Sequence, residues 1–184
     1  MAPNLRRLEC FGSIGLTGIL ELLANVARVS PSMSALPLQR LRVVEVRLER
    51  GADEGGLSLD WLMASMSLPF VGTFAASRMS SDCVDFEQKE GLESNLETLI
   101  LEDCVLEPDV FAQILGSIRN LRTFAYSNGQ DSNVGYGSFS PKKITGALVR
   151  HAGHSLEHLT VCGRDHDVGI WCQNVEDWTT LTCR

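Results

Sequence analysis

A six-residue pattern, Leu-x-x-Leu-x-Leu with apolar replacements, recurs six times and constrains the fold of this chain more than any other feature. The copies are Leu5/Leu8/Cys10, Leu41/Val44/Val46, Val71/Phe74/Ala76, Leu96/Leu99/Leu101, Leu121/Phe124/Tyr126 and Leu156/Leu159/Val161. First positions at 5, 41, 71, 96, 121 and 156 give steps of 36, 30, 25, 25 and 35 residues. Steps of that size hold one short strand and one helix or loop, and self-similarity at such a period is the mark of a repeat architecture.

Between the strand patterns, apolar residues recur at i, i+3, i+4 and i+7, the spacing of one buried helix face. Four such faces are visible. Leu16, Ile19, Leu20, Leu23 and Val26 form the first, and Leu59, Leu62, Met63 and Met66 the second, with Ser58 as its N-cap. The third, Phe111, Ile114, Leu115 and Ile118, follows Pro108 and Asp109, a proline suited to the first turn and an acid that complements the helix dipole. The fourth, Ile144, Ala147, Leu148 and His151, is opened by Ser140-Pro141 and closed by Gly153.

A strand that returns after a helical crossover runs parallel to its predecessor, with a right-handed connection. Because each unit touches mainly its neighbours, the expected fold is an α/β solenoid, a short horseshoe with a parallel sheet on the concave side and helices on the convex side. The array covers residues 1–164 in about six units, and 165–184 form an irregular tail with Trp171 and Trp178. That tail either caps the last unit or is loosely ordered. Three stretches break the regularity: 30–39, 77–93, where no helix period is seen, and the Gly-, Ser- and Asn-rich 127–138. Such insertions either contribute to binding or are tolerated surface slack.

A hydrophobic fraction of 44% supplies a continuous core, so the body of the chain is expected to be ordered. The formal charge of −7, without a basic stripe, speaks against a nucleic-acid surface. No stretch approaches the roughly 20 apolar residues of a membrane span. The apolar region after Arg6 and Arg7 is interrupted by Glu21 and Asn25, unlike a secretory signal. Six scattered cysteines with no C-x-x-C pair read as reduced thiols of the cytoplasm or nucleus.

The segment Asn95-Leu96-Glu97-Thr98-Leu99-Ile100-Leu101-Glu102-Asp103-Cys104 resembles a leucine-rich repeat of the cysteine-containing type, Leu-x-x-Leu-x-Leu-x-x-Cys. Asn120 to Tyr126 and His154 to Leu159 are similar to repeats of fungal F-box/leucine-rich-repeat proteins, and the resemblance covers roughly residues 4 to 164. It implies a concave sheet presented to a protein partner, and an F-box that docks on a ubiquitin-ligase adaptor. The first strand pattern begins at Leu5, which leaves no room for an F-box ahead of the repeats. The adaptor is therefore a partner only if an F-box lies outside this chain.

Side chains alternate along a strand, so the residues between the apolar positions line the concave face. These are Arg7 and Glu9, then Val43, Glu45 and Arg47, then Thr73 and Ala75, Thr98 and Ile100, Thr123 and Ala125, and His158 and Thr160. Charge gathers at the N-terminal end and the middle is small and nearly neutral, which suits a protruding peptide or protein. The alternative is that these are simply small β-compatible residues that let parallel strands curve.

His151, His154, His158 and Cys162 are close in sequence, but His158 and Cys162 lie four residues apart on one strand, about 13 Å at about 3.3 Å per residue. Zinc ligands converge to about 2.0 to 2.3 Å, so no metal or other cofactor is expected. G-x-S-x-G, H-E-x-x-H, P-loop and G-x-G-x-x-G signatures are missing, and Gly135-Tyr136-Gly137-Ser138 reads as a loop. The expected function is non-catalytic protein interaction, resembling the substrate-recognition part of an F-box protein. The alternative is a scaffold fragment of a larger or degenerate repeat protein with no partner of its own.

Overall fold

The computed structural model describes residues 4–12, 16–28, 38–48, 56–81, 92–129, 140–162 and, as backbone, 169–173. In chain order the elements are β1 (Arg7–Phe11), α1 (Leu16–Arg28), β2 (Val43–Arg47), β3 (Leu57–Ser58), α2 (Asp60–Met66), β4 (Thr73–Ser77) and β5 (Met79–Ser80). There follow β6 (Thr98–Cys104), α3 (Pro108–Gly116), β7 (Thr123–Asn128), α4 (Pro141–Ala152), β8 (His158–Cys162) and β9 (Gly169–Gln173). Most of 30–39 and 127–138, much of 77–93 and the side chains of 165–184 lie outside the described residues.

The fold is α/β, with a mostly parallel seven-stranded sheet in the order β1-β2-β4-β6-β7-β8-β9. Its first six strands are parallel neighbours, and β9 closes the far edge antiparallel to β8. All six strand patterns found in the sequence are therefore strands, placed side by side in chain order.

One backbone device joins each strand to the next. The carbonyl of Arg6 accepts the amides of Arg42 and Val43; Arg42 accepts those of Gly72 and Thr73, and Gly72 those of Glu97 and Thr98. Glu97 then accepts from Arg122 and Thr123, and Arg122 from Glu157 and His158, all at N···O distances of 2.8 to 3.2 Å. The same bracket at each junction satisfies backbone groups that would otherwise be stranded at strand entry.

The apolar positions of the pattern form the core. Leu41, Val44 and Val46 are fully buried, as are Leu96, Leu99, Leu101 and Phe124. Phe111 from α3 meets them from the helix side, edge-on to Phe124 with ring centroids 6.1 Å apart and to Tyr126 at 4.7 Å. Pro108 occupies the first turn of α3, and the Ser140 hydroxyl accepts from the Lys143 amide at the start of α4.

Several local expectations are corrected. Ser58 is not an N-cap: it lies on β3, parallel to β5, and Leu59 holds the cap position with helical dihedrals and no side-chain cap bond. The Ser58 hydroxyl still accepts from the Asp60 amide. β5 falls inside the stretch 77–93, which shows no helix period, and its two residues are too few to show a strand period either. Trp61, missed by the helical spacing, is 2% exposed; the seven-residue α2 is covered on more than one side, so a single stripe understates its burial.

Gly153 does not adopt the left-handed conformation of a glycine stop, with φ −58°. A Cβ there would lie 2.6 Å from the Val149 carbonyl oxygen, so close backbone approach is what requires glycine. Within the tail expected to be irregular, Gly169–Gln173 is a strand, paired from His158↔Gln173 to Cys162↔Gly169. A short connection from β8 permits only an antiparallel return, a topology that the parallel repeat pattern does not signal.

Candidate functional site

The face of the sheet turned away from the core carries the sequence-predicted residues in straight rows. One row runs Arg7, Val43, Thr73, Thr98, Thr123 and His158, paired strand to strand. The next runs Glu9, Glu45, Ala75, Ile100, Ala125 and Thr160. Parallel pairing without a slip across these positions aligns residues of equal place in each repeat. Thus Arg7, Glu9, Glu45, Arg47, Thr73, Thr98, Ile100, Thr123, His158 and Thr160 all share one surface, although Arg7 and His158 stand at its two ends.

The β1–β2 end is an ion-pair network built around Glu45, which is 8% exposed. Arg7 Nη2 donates to Glu45 Oε2 at 2.6 Å and Arg47 Nε to Glu45 Oε1 at 2.6 Å, so each carboxylate oxygen has its own guanidinium. Arg7 also pairs with Glu9, and Arg47 Nη1 lies 3.7 Å from Glu102 Oε2. Glu9 more than any other neighbour holds the Arg7 guanidinium above its ordinary pKa. A buried carboxylate is costly unless paired and hydrogen-bonded, and the two arginines meet that need while their stems cover the strands. Arg47 reaches across β4 because β4 presents only Ala75 and Ser77 there. Glu102 joins the network unforeseen; continuing the alternation two residues past Ile100 would have found it.

Beyond the network, Thr73, Thr98 and Thr123 with Ala75, Ile100 and Ala125 make a floor of short side chains, Ala75 buried and the others half-buried. No charged side chain stands among these six. His158 is exposed at the far end. Phe11, the next outward position of β1, is 60% exposed and completes the face at its other extreme.

At the C-terminal ends of the strands, serine hydroxyls tie neighbouring loops to the sheet. Ser77 Oγ accepts from the Leu48 amide, Ser127 Oγ from the Asp103 amide and Ser81 Oγ from the Glu107 amide. Asp103 has φ 52°, at the register shift between Leu101 and Cys104, which turns Cys104 back into the core. Its Sγ accepts from the Met79 amide and donates to the Glu102 carbonyl, both at 3.3 Å. Burial pushes the Cys104 thiol up to about 12, against an ordinary 9.0.

The three neighbouring histidines diverge. His151 is half-buried on α4 beside Gly116, where an added Cβ would lie 3.4 Å from Cε1. His154 Nε2 is 3.3 Å from the Arg119 carbonyl oxygen, and His158 belongs to the sheet face. Among the described residues, no group of three or more His, Cys, Asp or Glu side chains is arranged to hold a metal ion. Nor is any described helix long and apolar enough to cross a membrane. Compared with protein-family models, curated proteins and solved structures, the chain shows no match to any of them.

Proposed function

We propose that the outward face of the sheet is a docking surface for a protein or peptide, on a leucine-rich-repeat solenoid that resembles the substrate-recognition repeats of F-box proteins. The observation that carries this reading is the floor of short side chains on β4, β6 and β7, flanked on one side by the ion-pair network and on the other by His158. A protruding segment can reach the backbone of three parallel strands there without displacing long side chains. The fixed charges at one end give it direction, because complementary charge sets orientation and encounter rate more than affinity. Repeat scaffolds of this kind bind through extended surfaces.

The proposed role is binding without catalysis. Among the described residues the most deeply buried thiol, Cys104, is protonated at neutral pH, and a thiol in that state is a poor nucleophile. A ubiquitin-ligase adaptor enters this reading only through an F-box outside the chain.

The test is affinity capture from cell extract with the wild-type chain and with Ile100→Arg and Thr98→Arg, each checked for native circular dichroism. Recovery of the specific partner is expected to fall at least ten-fold for both variants. Equal recovery from wild type and variants would remove the sheet face from the function.

A further inference from the structure

We propose that two copies of this chain associate through their β1 strands, paired antiparallel about a two-fold axis that passes beside Leu8. Among the described residues β1 forms one edge of the seven-stranded sheet, hydrogen-bonded to β2 alone. An edge strand presents a row of unpaired N–H and C=O groups that template a further strand. The direction of those groups is fixed by the bonds β1 already makes. The Arg6 carbonyl and the Gly12 amide both reach β2. Backbone groups alternate in side along a strand, so the even-numbered residues face β2 and the amides and carbonyls of Arg7, Glu9 and Phe11 face outward.

Antiparallel pairing about Leu8 sets Arg7 opposite Glu9 of the second copy, and Glu9 opposite its Arg7. Both pairs then consist of residues whose N–H and C=O point outward, so each pair exchanges its two backbone hydrogen bonds. Leu8 faces the second Leu8 as a non-hydrogen-bonded pair on the core side. Charge order makes the arrangement self-complementary. Parallel pairing in register would set Arg7 against Arg7 and Glu9 against Glu9, which like-charge repulsion opposes.

The core supplies the driving force. In the five later repeats the first two pattern positions are buried: Leu41 and Val44 0%, Val71 1% and Phe74 0%, Leu96 and Leu99 0%, Leu121 1% and Phe124 0%, Leu156 5% and Leu159 2% exposed. Only in the first repeat are they half-exposed, at Leu5 and Leu8. Leu16, Ile19 and Leu20 of α1 are likewise only partly covered, and Leu22 is 39% exposed. A second copy seated on β1 brings the half-exposed Leu8 of each chain together, and apolar area removed from water favours the pairing.

The experiment measures solution mass by sedimentation across a concentration series, with wild type, Glu9→Arg and Leu8→Cys. The wild-type chain is expected to move from its 20.2 kDa monomer toward twice that mass as concentration rises. Glu9→Arg sets arginine against arginine in the pairing but leaves the Arg7–Glu45 bond intact, and is expected to raise the dissociation constant at least ten-fold. In antiparallel non-hydrogen-bonded pairs the Cα atoms lie about 4.5 Å apart, within disulfide reach. Leu8→Cys is therefore expected to form a covalent dimer without reductant, above the background of the wild-type cysteines. A mass of one chain at every concentration, an unaltered dimer in Glu9→Arg, or a folded Leu8→Cys chain that does not cross-link would each overturn the proposal.

Discussion

Cys104 shows how one residue can tie two repeats together. Its sulfur accepts the buried Met79 amide from the preceding turn, while its carbonyl accepts both the Gly129 amide and the Tyr126 hydroxyl, the latter at 2.8 Å. Burial also raises the Tyr126 hydroxyl above its ordinary pKa, so both groups stay protonated in the folded chain. The Cys104→Ala variant strips the Met79 amide of this acceptor and is expected to cost about 1–3 kcal/mol in a denaturant titration at pH 7. The pH dependence has a definite sign. The unfolded chain releases the thiol proton near pH 9 and the folded chain only near 12, so the folded state binds more protons in that window. Stability is full below pH 9 and falls as pH rises toward 12, and Cys104→Ala is expected to flatten part of that fall. An identical alkaline profile for the two proteins would show that the thiol does not contribute. The Leu-x-x-Leu-x-Leu-x-x-Cys motif marks this cysteine from sequence, but its partners were not legible, because Met79 and Tyr126 reach it from other repeats.

Elements built on a run of regularly spaced apolar residues were legible, and those built on close approach were not. The strands β1, β2, β4, β6, β7 and β8 and the faces of α1, α3 and α4 follow from periodicity, since each has one side toward the core. By contrast β3 and β5 have two residues each and owe their pairing to the chain crossing nearby, where a Cβ on Gly56 would lie 3.0 Å from the Arg78 carbonyl oxygen. Gly129 is another such contact, after β7: a Cβ there would fall 2.3 Å from the Asp103 carbonyl oxygen, backbone that cannot step aside cheaply. Gly129→Ala is expected to destabilise the chain by about 2 kcal/mol. Gly146, exposed within α4 with nothing within 4 Å of an added Cβ, provides the opposite case. Gly146→Ala is expected to stabilise by about 1 kcal/mol through helix propensity. Thermal melts of the two variants should move in opposite directions, and movement in the same direction would contradict this account of the two sites.

At the scale of the molecule, burial is complete at the centre of the sheet and falls off at its β1 edge. β6 and β7 each have a parallel neighbour on both sides and core residues exposed by no more than 2%, whereas β1 has one neighbour and a half-covered apolar side. Amide hydrogen exchange is expected to be slowest across 98–102 and 123–126 and fastest in β1 and β9, since local opening follows the contacts each segment must break. Uniform rates along the sheet would contradict that gradient. Which side chains share the outward face was legible, because alternation and equal repeat position dictate it; the Arg47–Glu102 pair escaped, because a reach over a strand of small residues depends on side-chain length and not on period. The shared carbonyl bracket has a further consequence. Repeats whose starts are spaced by 36, 30, 25, 25 and 35 residues meet through the same pair of amides on one carbonyl, so differences in length are absorbed entirely outside the strands. The strands thus share a common fitting, one carbonyl clasping two consecutive amides, that keeps its form whether 25 or 36 residues separate one joint from the next.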